Sequence, residues 1–201
     1  MEKETGNPMI YVCVPTTEER RPRLQKLIDS VRKSDYPNLT LVIHEGKHPG
    51  CVESIHALVE GLGDNTMCMW LSDDNTIEPD TISRLWEAHQ KTFEGAWGYA
   101  QSYNEIQGAT LITAGLCQAG MVKRYFYKGY IHNYSDNEFT EVVDSLCMHV
   151  YVPEAIVHHE HVSAMRPDLQ DETYESNQMS KEQDRQLWLK RKANNYLPKN
   201  E

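Results

Sequence analysis

Two adjacent carboxylates, Asp73 and Asp74, stand immediately after the apolar run Met67-Cys68-Met69-Trp70-Leu71 and Ser72. In an α/β protein, ligands collect where strands end at their carboxyl side. Two acids there repel each other and add nothing to apolar packing. A divalent cation carrying a phosphorylated ligand would relieve the repulsion and use both. The competing reading is local: Asp73 and Asp74 form an Asx turn and lead through Asn75, Thr76 and Pro79 into the next helix. A second acidic group, Ser135-Asp136-Asn137-Glu138, has capping-box spacing, with Asp136 in a first turn where the helix dipole favours negative charge. A third cluster is His158, His159 and His161. On a strand, His159 and His161 share a face, whereas His158 points to the other and reads as solvent-facing. No cysteine sits near them in ligand spacing, which counts against zinc.

Aromatic and basic residues offer further candidates. Trp97, Tyr99 and Tyr103 either line a sugar or base acceptor pocket or simply pack, and Trp70 reads as core. Lys123, Arg124 and Lys128 interleave with Tyr125, Phe126, Tyr127 and Tyr130. Such a patch can stack bases and pair with phosphates, or be a solvated helix face over core aromatics.

These residues need elements to hold them. Met9 to Val14 is a β-branched apolar run stopped by Pro15-Thr16-Thr17, the pattern of a buried strand with a sharp exit. Leu24, Leu27, Ile28 and Val31 then follow at i, i+3, i+4 and i+7, predicting an amphipathic helix that opens near Pro22. Leu39 to Ile43 reads as a second strand ending at His44-Glu45-Gly46. Ile55, Leu58, Val59 and Leu62 predict a second helix closed by the glycines around Leu62. Met67 to Leu71 is the third strand, and Ile82, Leu85, Trp86 and His89 mark the third helix. Strand–helix alternation at these lengths predicts parallel, right-handed βαβ units.

The second half reads less regularly. Gly95 to Tyr103 and Thr110 to Leu116 are expected strands, and Met121 to Tyr127 a short helix. Asn137 to Met148 is an expected helix, followed by two short strands, His149 to Pro153 and Ala155 to His159. A surface helix is expected from Ser180 to Asn194.

Bulk properties narrow the class. The 201 residues suit one domain with a sizeable core, and no apolar run approaches the ~20 residues of a membrane span. The polar start Met1-Glu2-Lys3-Glu4 has no signal-like apolar region. The five cysteines form no CxxC pair and several fall inside apolar runs, as in a reduced cytoplasmic protein. A formal net charge of −10 counts against broad binding to nucleic acid or anionic membranes, although Arg20, Arg21 and Arg23 form a local basic cluster.

In order and content, four of these segments resemble the family 2 glycosyltransferases of the GT-A type. They are Val14-Pro15-Thr16-Thr17, His44-Glu45-Gly46, Leu71-Ser72-Asp73-Asp74, and the pair Tyr134-Ser135-Asp136-Asn137-Glu138-Phe139 with Val152-Pro153-Glu154-Ala155. The resemblance implies that Pro15, Thr16, Thr17, Glu45 and Asp73 hold the nucleotide and its diphosphate. It implies Asp74 as ligand of Mn²⁺ or Mg²⁺, joined by His159 or His161, and Asp136 as the base that deprotonates an acceptor hydroxyl. Beside the resemblance, Glu138, Trp97 and Tyr103 are candidates for supporting the acceptor, and Asp171 to Tyr174 either helps close the site or forms a surface turn. Three departures stand out: Ser72 replaces the first Asp of a DxD motif, Cys51-Val52-Glu53 stands where the family often has an arginine, and the C-terminal region is short.

The expectation is therefore an α/β, Rossmann-like GT-A domain with a mostly parallel sheet flanked by helices. Its nucleotide-binding half would cover about 9–94 and its acceptor half about 95–164, after a flexible N-terminus at 1–8 and before a C-terminal loop and helix at 165–201. The expected reaction is metal-dependent, inverting transfer from a nucleoside-diphosphate sugar, UDP-sugar favoured, to an acceptor hydroxyl, in the cytoplasm. The chain looks like short phage-encoded members of the family, some of which modify hydroxymethylated DNA bases, so modified DNA is one candidate acceptor. The alternatives are a non-catalytic sugar-nucleotide-binding module, favoured by Ser72, and a nucleotidyltransferase, disfavoured by the absence of glycine from Pro15-Thr16-Thr17-Glu18-Glu19.

Overall fold

The structure is a computed structural model that describes residues 6–46, 50–104, 114–160 and 172–196, the side chains of 173, 174 and 177 excepted. Strand β1 (Ile10–Thr16) leads through a single 3₁₀ turn at Glu18–Arg20 into α1 (Arg21–Arg32). There follow β2 (Leu39–Glu45), α2 (Cys51–Glu60), β3 (Met67–Leu71), the three-residue β4 (Asn75–Ile77) and α3 (Thr81–Phe93). The second half comprises β5 (Tyr99–Asn104), β6 (Ala114–Gln118), α4 (Ala119–Tyr125), α5 (Ser135–Ser145), β7 (His149–His159) and α6 (Glu172–Ala193).

Alternation along the strands sorts the core into two layers. Ile10, Val12 and Val14 of β1 join Met67, Met69 and Leu71 of β3 on one face, packed by Leu24, Leu27 and Val31 of α1 and Ile82 and Leu85 of α3. Cys13, Cys68 and Trp70 face the other way, where Val52, Ile55, Leu58 and Val59 of α2 meet Met121, Phe139 and Val143 from α4 and α5. Every residue of β3 is buried, as is every residue of β6, so these two strands are covered on both faces inside the sheet. Each such Leu, Ile or Val is worth about 1.5–3 kcal/mol of apolar burial, so the positions that dictate helix spacing also hold the layers together.

The seven strands run in the order β2-β1-β3-β6-β5-β7-β4. β1 lies parallel to both β2 and β3, as the βαβ pattern predicts. Beyond β3 the sheet is mixed, which corrects the expectation of a mostly parallel sheet. β6 is antiparallel to β3 and β5, β5 is parallel to β7, and β4 is antiparallel to β7. The buried run Gly115-Leu116-Cys117 looks the same in either strand direction, so its sequence could not reveal the reversal. The two short strands expected around Pro153 are one strand: pairing jumps from Ser102–Val152 to Tyr103–Ile156, leaving Pro153 to Ala155 as a bulge. Proline has no N–H to give a ladder, and a bulge accommodates it. Helix α6 is longer than expected, and β4 has no counterpart in the sequence reading. Among the described residues, no helix is long and apolar enough to cross a membrane.

Candidate functional site

The parallel half delivers its strand ends to one edge, and the acidic pair lies there. Ser72 and Asn75 close the turn after β3: Asn75 Oδ1 accepts the Ser72 N–H at 3.0 Å, and the Asn75 N–H donates to the Ser72 carbonyl at 3.0 Å. The turn is thus a β-turn over 72–75 braced by the Asn75 side chain rather than an Asx turn of either aspartate, and both aspartates turn their carboxylates to other partners. The Thr16 hydroxyl at the end of β1 donates to Asp73 Oδ2 at 2.7 Å. The Arg20 guanidinium spans the pair, one nitrogen 2.6 Å from Asp73 Oδ1 and the other 2.9 Å from Asp74 Oδ2. His159 completes the row, its Nε2 at 3.2 Å from Asp74 Oδ1.

The approach of His159 follows from the sheet. β4 and β7 pair with Asn75 opposite His159, and the Glu160 N–H donates to the Asp74 carbonyl at 2.9 Å. This ladder fixes the end of β7 against the residue after β3.

The two aspartates titrate in opposite directions although they are neighbours. Burial pushes the Asp73 carboxyl up to about 6, Arg20 opposing and Asp74 adding to the rise. Burial alone would raise Asp74 as well, but the hydrogen bond and charge of His159, with Arg20, hold it well below the usual carboxylate range. At neutral pH the pair is an anionic centre with only Asp73 near its titration range.

Asp136 joins the same neighbourhood. It lies in the first turn of α5, its Oδ1 accepting the Asn137 N–H at 2.9 Å. Burial pushes the thiol of Cys51, first residue of α2, up to about 12, and Asp136, Asp73 and Asp74 all push in the same direction, against Arg20. One thiol therefore lies within electrostatic reach of all three carboxylates. Cys51 stands where the sequence departs from the family pattern it resembles, and that departure was the one signal pointing to it. Arg20 was visible only as part of a basic cluster.

Other expected residues have different roles. Pro15 and Thr17 flank Thr16 at the end of β1, with Thr16's carbonyl accepting the Gly46 N–H at 2.9 Å. Glu45 lies at the end of β2 and is held by Arg21 at 2.9 and 3.2 Å. Tyr103 stands near the end of β5, which runs in the direction of β3 and so finishes at the same edge.

Trp97 does not belong to this site, a correction. It precedes β5 and its indole N–H donates to Asn65, just before β3, at 2.8 Å, so it marks the opposite edge of the sheet. There it lines a cleft of about 860 Å³ between α2 and α4 with His56, Lys123 and Arg124. Glu138 is also corrected: it is 1% exposed and bound by Arg191 at 2.7 and 2.8 Å and by the Tyr130 hydroxyl at 2.7 Å, so it fastens α6 rather than an acceptor. The capping box is absent too, since the N-cap is Tyr134 and the Ser135 hydroxyl donates to the His132 carbonyl at 3.3 Å. In the basic patch, Lys123 is engaged by the Leu62 carbonyl and Asp64 at 2.6 and 3.0 Å. His158 pairs with Glu78 at the surface, as its facing predicted. His161 and Asp171 lie outside the described residues.

No protein-family model matches the chain, and no curated protein sequence matches it. Solved structures do. The mannosyltransferase PcManGT from Pyrobaculum calidifontis, in complex with GDP-Man and Mn²⁺, superimposes with a TM-score of 0.61 at 12% identity, over 77% of this chain and 57% of that one. S. aureus TarS, residues 1–349, gives 0.57 at 10% identity, over 75% and 60% of the two chains. Glucosyl-3-phosphoglycerate synthase from Mycobacterium tuberculosis, in complex with Mn²⁺, UDP-Glc and phosphoglyceric acid, gives 0.54 at 13%, over 77% and 73%. The fold is that of the GT-A-type glycosyltransferases. The chain spans about three fifths of the length of the first two, so the likeness concerns a shared core.

The side chains at the strand edge fit a divalent cation by their chemistry. Two carboxylates and an imidazole are oxygen- and nitrogen-donor groups suited to Mn²⁺ or Mg²⁺. Among the described residues no three such side chains form a ready cage. An ion held there would need further oxygens from a bound ligand or water to complete its shell.

Proposed function

We propose that the protein is a divalent-cation-dependent glycosyltransferase that moves a sugar from a nucleoside-diphosphate sugar to an acceptor hydroxyl with inversion. The observation that carries this reading is the Thr16–Asp73–Arg20–Asp74–His159 row at the carboxyl edge of a GT-A-type sheet. Asp74 and His159 would hold the cation, and Asp73, braced by Thr16, would face the donor's diphosphate. When bound, the cation acts as a Lewis acid that neutralises the leaving diphosphate. Pro15 and Thr17, beside Thr16, and Glu45 after β2 would frame the nucleoside.

Asp136 takes the role of general base. The acceptor oxygen attacks the anomeric carbon, its proton passes to the Asp136 carboxylate, and the bond from that carbon to the diphosphate oxygen breaks. Attack and departure on opposite faces invert the configuration. The first turn of α5 and the Asn137 N–H orient this carboxylate before any acceptor arrives. UDP-sugars are the favoured donors, because glucosyl-3-phosphoglycerate synthase and TarS superimpose on this chain in complexes with UDP-Glc and UDP respectively. Hydroxymethylated duplex DNA belongs among the acceptors to be offered, with the net charge of −10 weighing against it.

Calorimetric titration with UDP, with and without Mn²⁺, tests the reading on the wild type and on Asp74→Asn. Binding that requires Mn²⁺ and is lost in the variant is expected. Metal-independent binding retained by the variant would remove Asp74 from the donor site. Absence of binding to both UDP and GDP would favour a scaffold without donor activity.

A further inference from the structure

Each of the four oxygens of the acidic pair faces a polar group, Asp73 Oδ2 and Asp74 Oδ2 through hydrogen bonds and the other two at ion-pair distance. Asp73 Oδ2 takes the Thr16 hydroxyl and Asp74 Oδ1 faces His159, which leaves Asp73 Oδ1 and Asp74 Oδ2 as the inner oxygens. Arg20 holds both, at 2.6 and 2.9 Å. A cation held by Asp74 would compete with this guanidinium for the Asp74 carboxylate. The Arg20 side chain is 14% exposed against 2% for Asp73 and 7% for Asp74, so it covers the pair from the solvent side.

We propose that Arg20 is a built-in counter-ion that latches the donor site: anchored on Asp73, its guanidinium takes the Asp74 carboxylate that the cation would use, and divalent metal binds only when the guanidinium withdraws. The proposal rests on the reading of this row as the metal–diphosphate site. Three arguments support it. Two buried carboxylates require a positive partner, and a planar guanidinium with two donating nitrogens spans them where a compact ammonium cannot. A single positive charge offsets only one of two carboxylates, so a divalent ion is the better electrostatic partner once its dehydration is compensated by phosphate oxygens. Arg20 also ends the 3₁₀ turn between β1 and α1, directly after the Pro15–Thr17 segment assigned to the nucleoside. A diphosphate delivered there brings the displaced guanidinium a new bidentate anion within the same loop. Metal and nucleotide would then enter together, because each removes an obstacle to the other.

The latch makes a prediction opposite to that of a metal-assisting arginine. Mn²⁺ binding without nucleotide is followed by the electron paramagnetic resonance signal of free Mn²⁺, on wild type, Arg20→Met, Arg20→Lys and Asp74→Asn. A competent fraction kept small by a closed latch lowers apparent affinity in proportion, so Arg20→Met is expected to bind Mn²⁺ at least ~10-fold tighter than wild type. Arg20→Lys, whose ammonium reaches one carboxylate at a time, is expected between the two, and it decides the matter if Arg20→Met does not fold. Asp74→Asn is expected to abolish the binding that Arg20→Met enhances. Equal or weaker Mn²⁺ binding in both arginine variants, with Asp74→Asn still deficient, overturns the latch and leaves the metal site standing. No Asp74-dependent Mn²⁺ binding in any protein, even with UDP added, removes the metal site and the latch together.

Discussion

Replacing Arg191 with Met should expose how α6 holds the Asp136 side of the domain. Arg191, 5% exposed, grips the 1% exposed Glu138 through its Nε at 2.8 Å and Nη2 at 2.7 Å, and its guanidinium carbon lies 3.4 Å from the Tyr127 ring centroid. The substitution leaves Glu138 buried with the Tyr130 hydroxyl. Removing one partner of a buried pair costs about 3–5 kcal/mol. For a chain of this length that lowers the melting temperature by about 6–20 °C. Urea unfolding at pH 7 measures the loss as a shift in midpoint at constant slope. Adding Glu138→Gln removes the stranded charge, so the double variant should be more stable than Arg191→Met alone, with a coupling of about 2 kcal/mol or more. The effect on function is directional. Glu138 lies two residues after Asp136, and Asp184 of α6 accepts the N–H groups of Ile131, His132 and Asn133 at 2.8–3.0 Å, just before α5. Loosening α6 should therefore lower kcat while UDP–Mn²⁺ affinity holds. A loss below ~1 kcal/mol, or strict additivity in the cycle, would refute the claim that this pair carries the helix.

Three further substitutions probe other layers. His89 is buried against the Gly98 carbonyl and its pKa is lowered below 6.5 by that burial. Between its folded and unfolded values the unfolded chain binds more protons, so its stabilising share is complete above pH 6.5 and shrinks as pH falls. Unfolding of wild type and His89→Gln from pH 7.5 to 5 should show wild type losing ground to the variant with acidification, and a constant or widening advantage would contradict this. Gly115→Ala would place a Cβ 2.0 Å from the buried Tyr99 ring, which stacks on Trp70, and should destabilise by at least 1–3 kcal/mol in chemical denaturation. Trp97→Phe, at the far edge of the sheet, should leave both the UDP–Mn²⁺ dissociation constant and transfer kinetics within about twofold of wild type, and a tenfold change would return Trp97 to the site.

The first half of the fold was legible because β1, β2 and β3 are parallel, β1 and β3 are largely buried, and amphipathic helices separate them. The apolar positions from Ile10 to Leu85 announce period two and period 3.6 in turn, and the structure uses them so. The place of Asp73 and Asp74 just past the end of β3 was legible for the same reason. Legibility failed where a role depends on pairing partners far along the chain. The reversal at β6, the bulge at Pro153 and the β4–β7 ladder have no local signature. Trp97 and Glu138 were misassigned because residue type says nothing about which sheet edge a side chain reaches or which helix later covers it. Arg20 was one of several arginines until the fold set it between two carboxylates.

The acidic pair is a seam between the two halves of the sheet, and this yields a test that separates its members. Asp73 is braced from β1 in the parallel half, through Thr16, whereas Asp74 is braced from β7 in the mixed half, through His159. The two braces share no atom, so their loss should fall on different ligands. His159→Gln removes the imidazole proposed to hold the cation with Asp74, and is expected to cost at least the 10- to 100-fold in metal affinity that loss of an outer-shell partner costs. Thr16→Val instead strips a hydrogen bond from buried Asp73, worth about 1.5–3 kcal/mol when the acceptor is charged. That loss should appear in UDP affinity, with Mn²⁺ affinity nearly unchanged. Mn²⁺ titrations of both variants, with and without UDP, distinguish the two. Parallel losses of metal and nucleotide in each variant would mean that the aspartates act as one undivided ligand, and the division of labour drawn from their separate braces would fail.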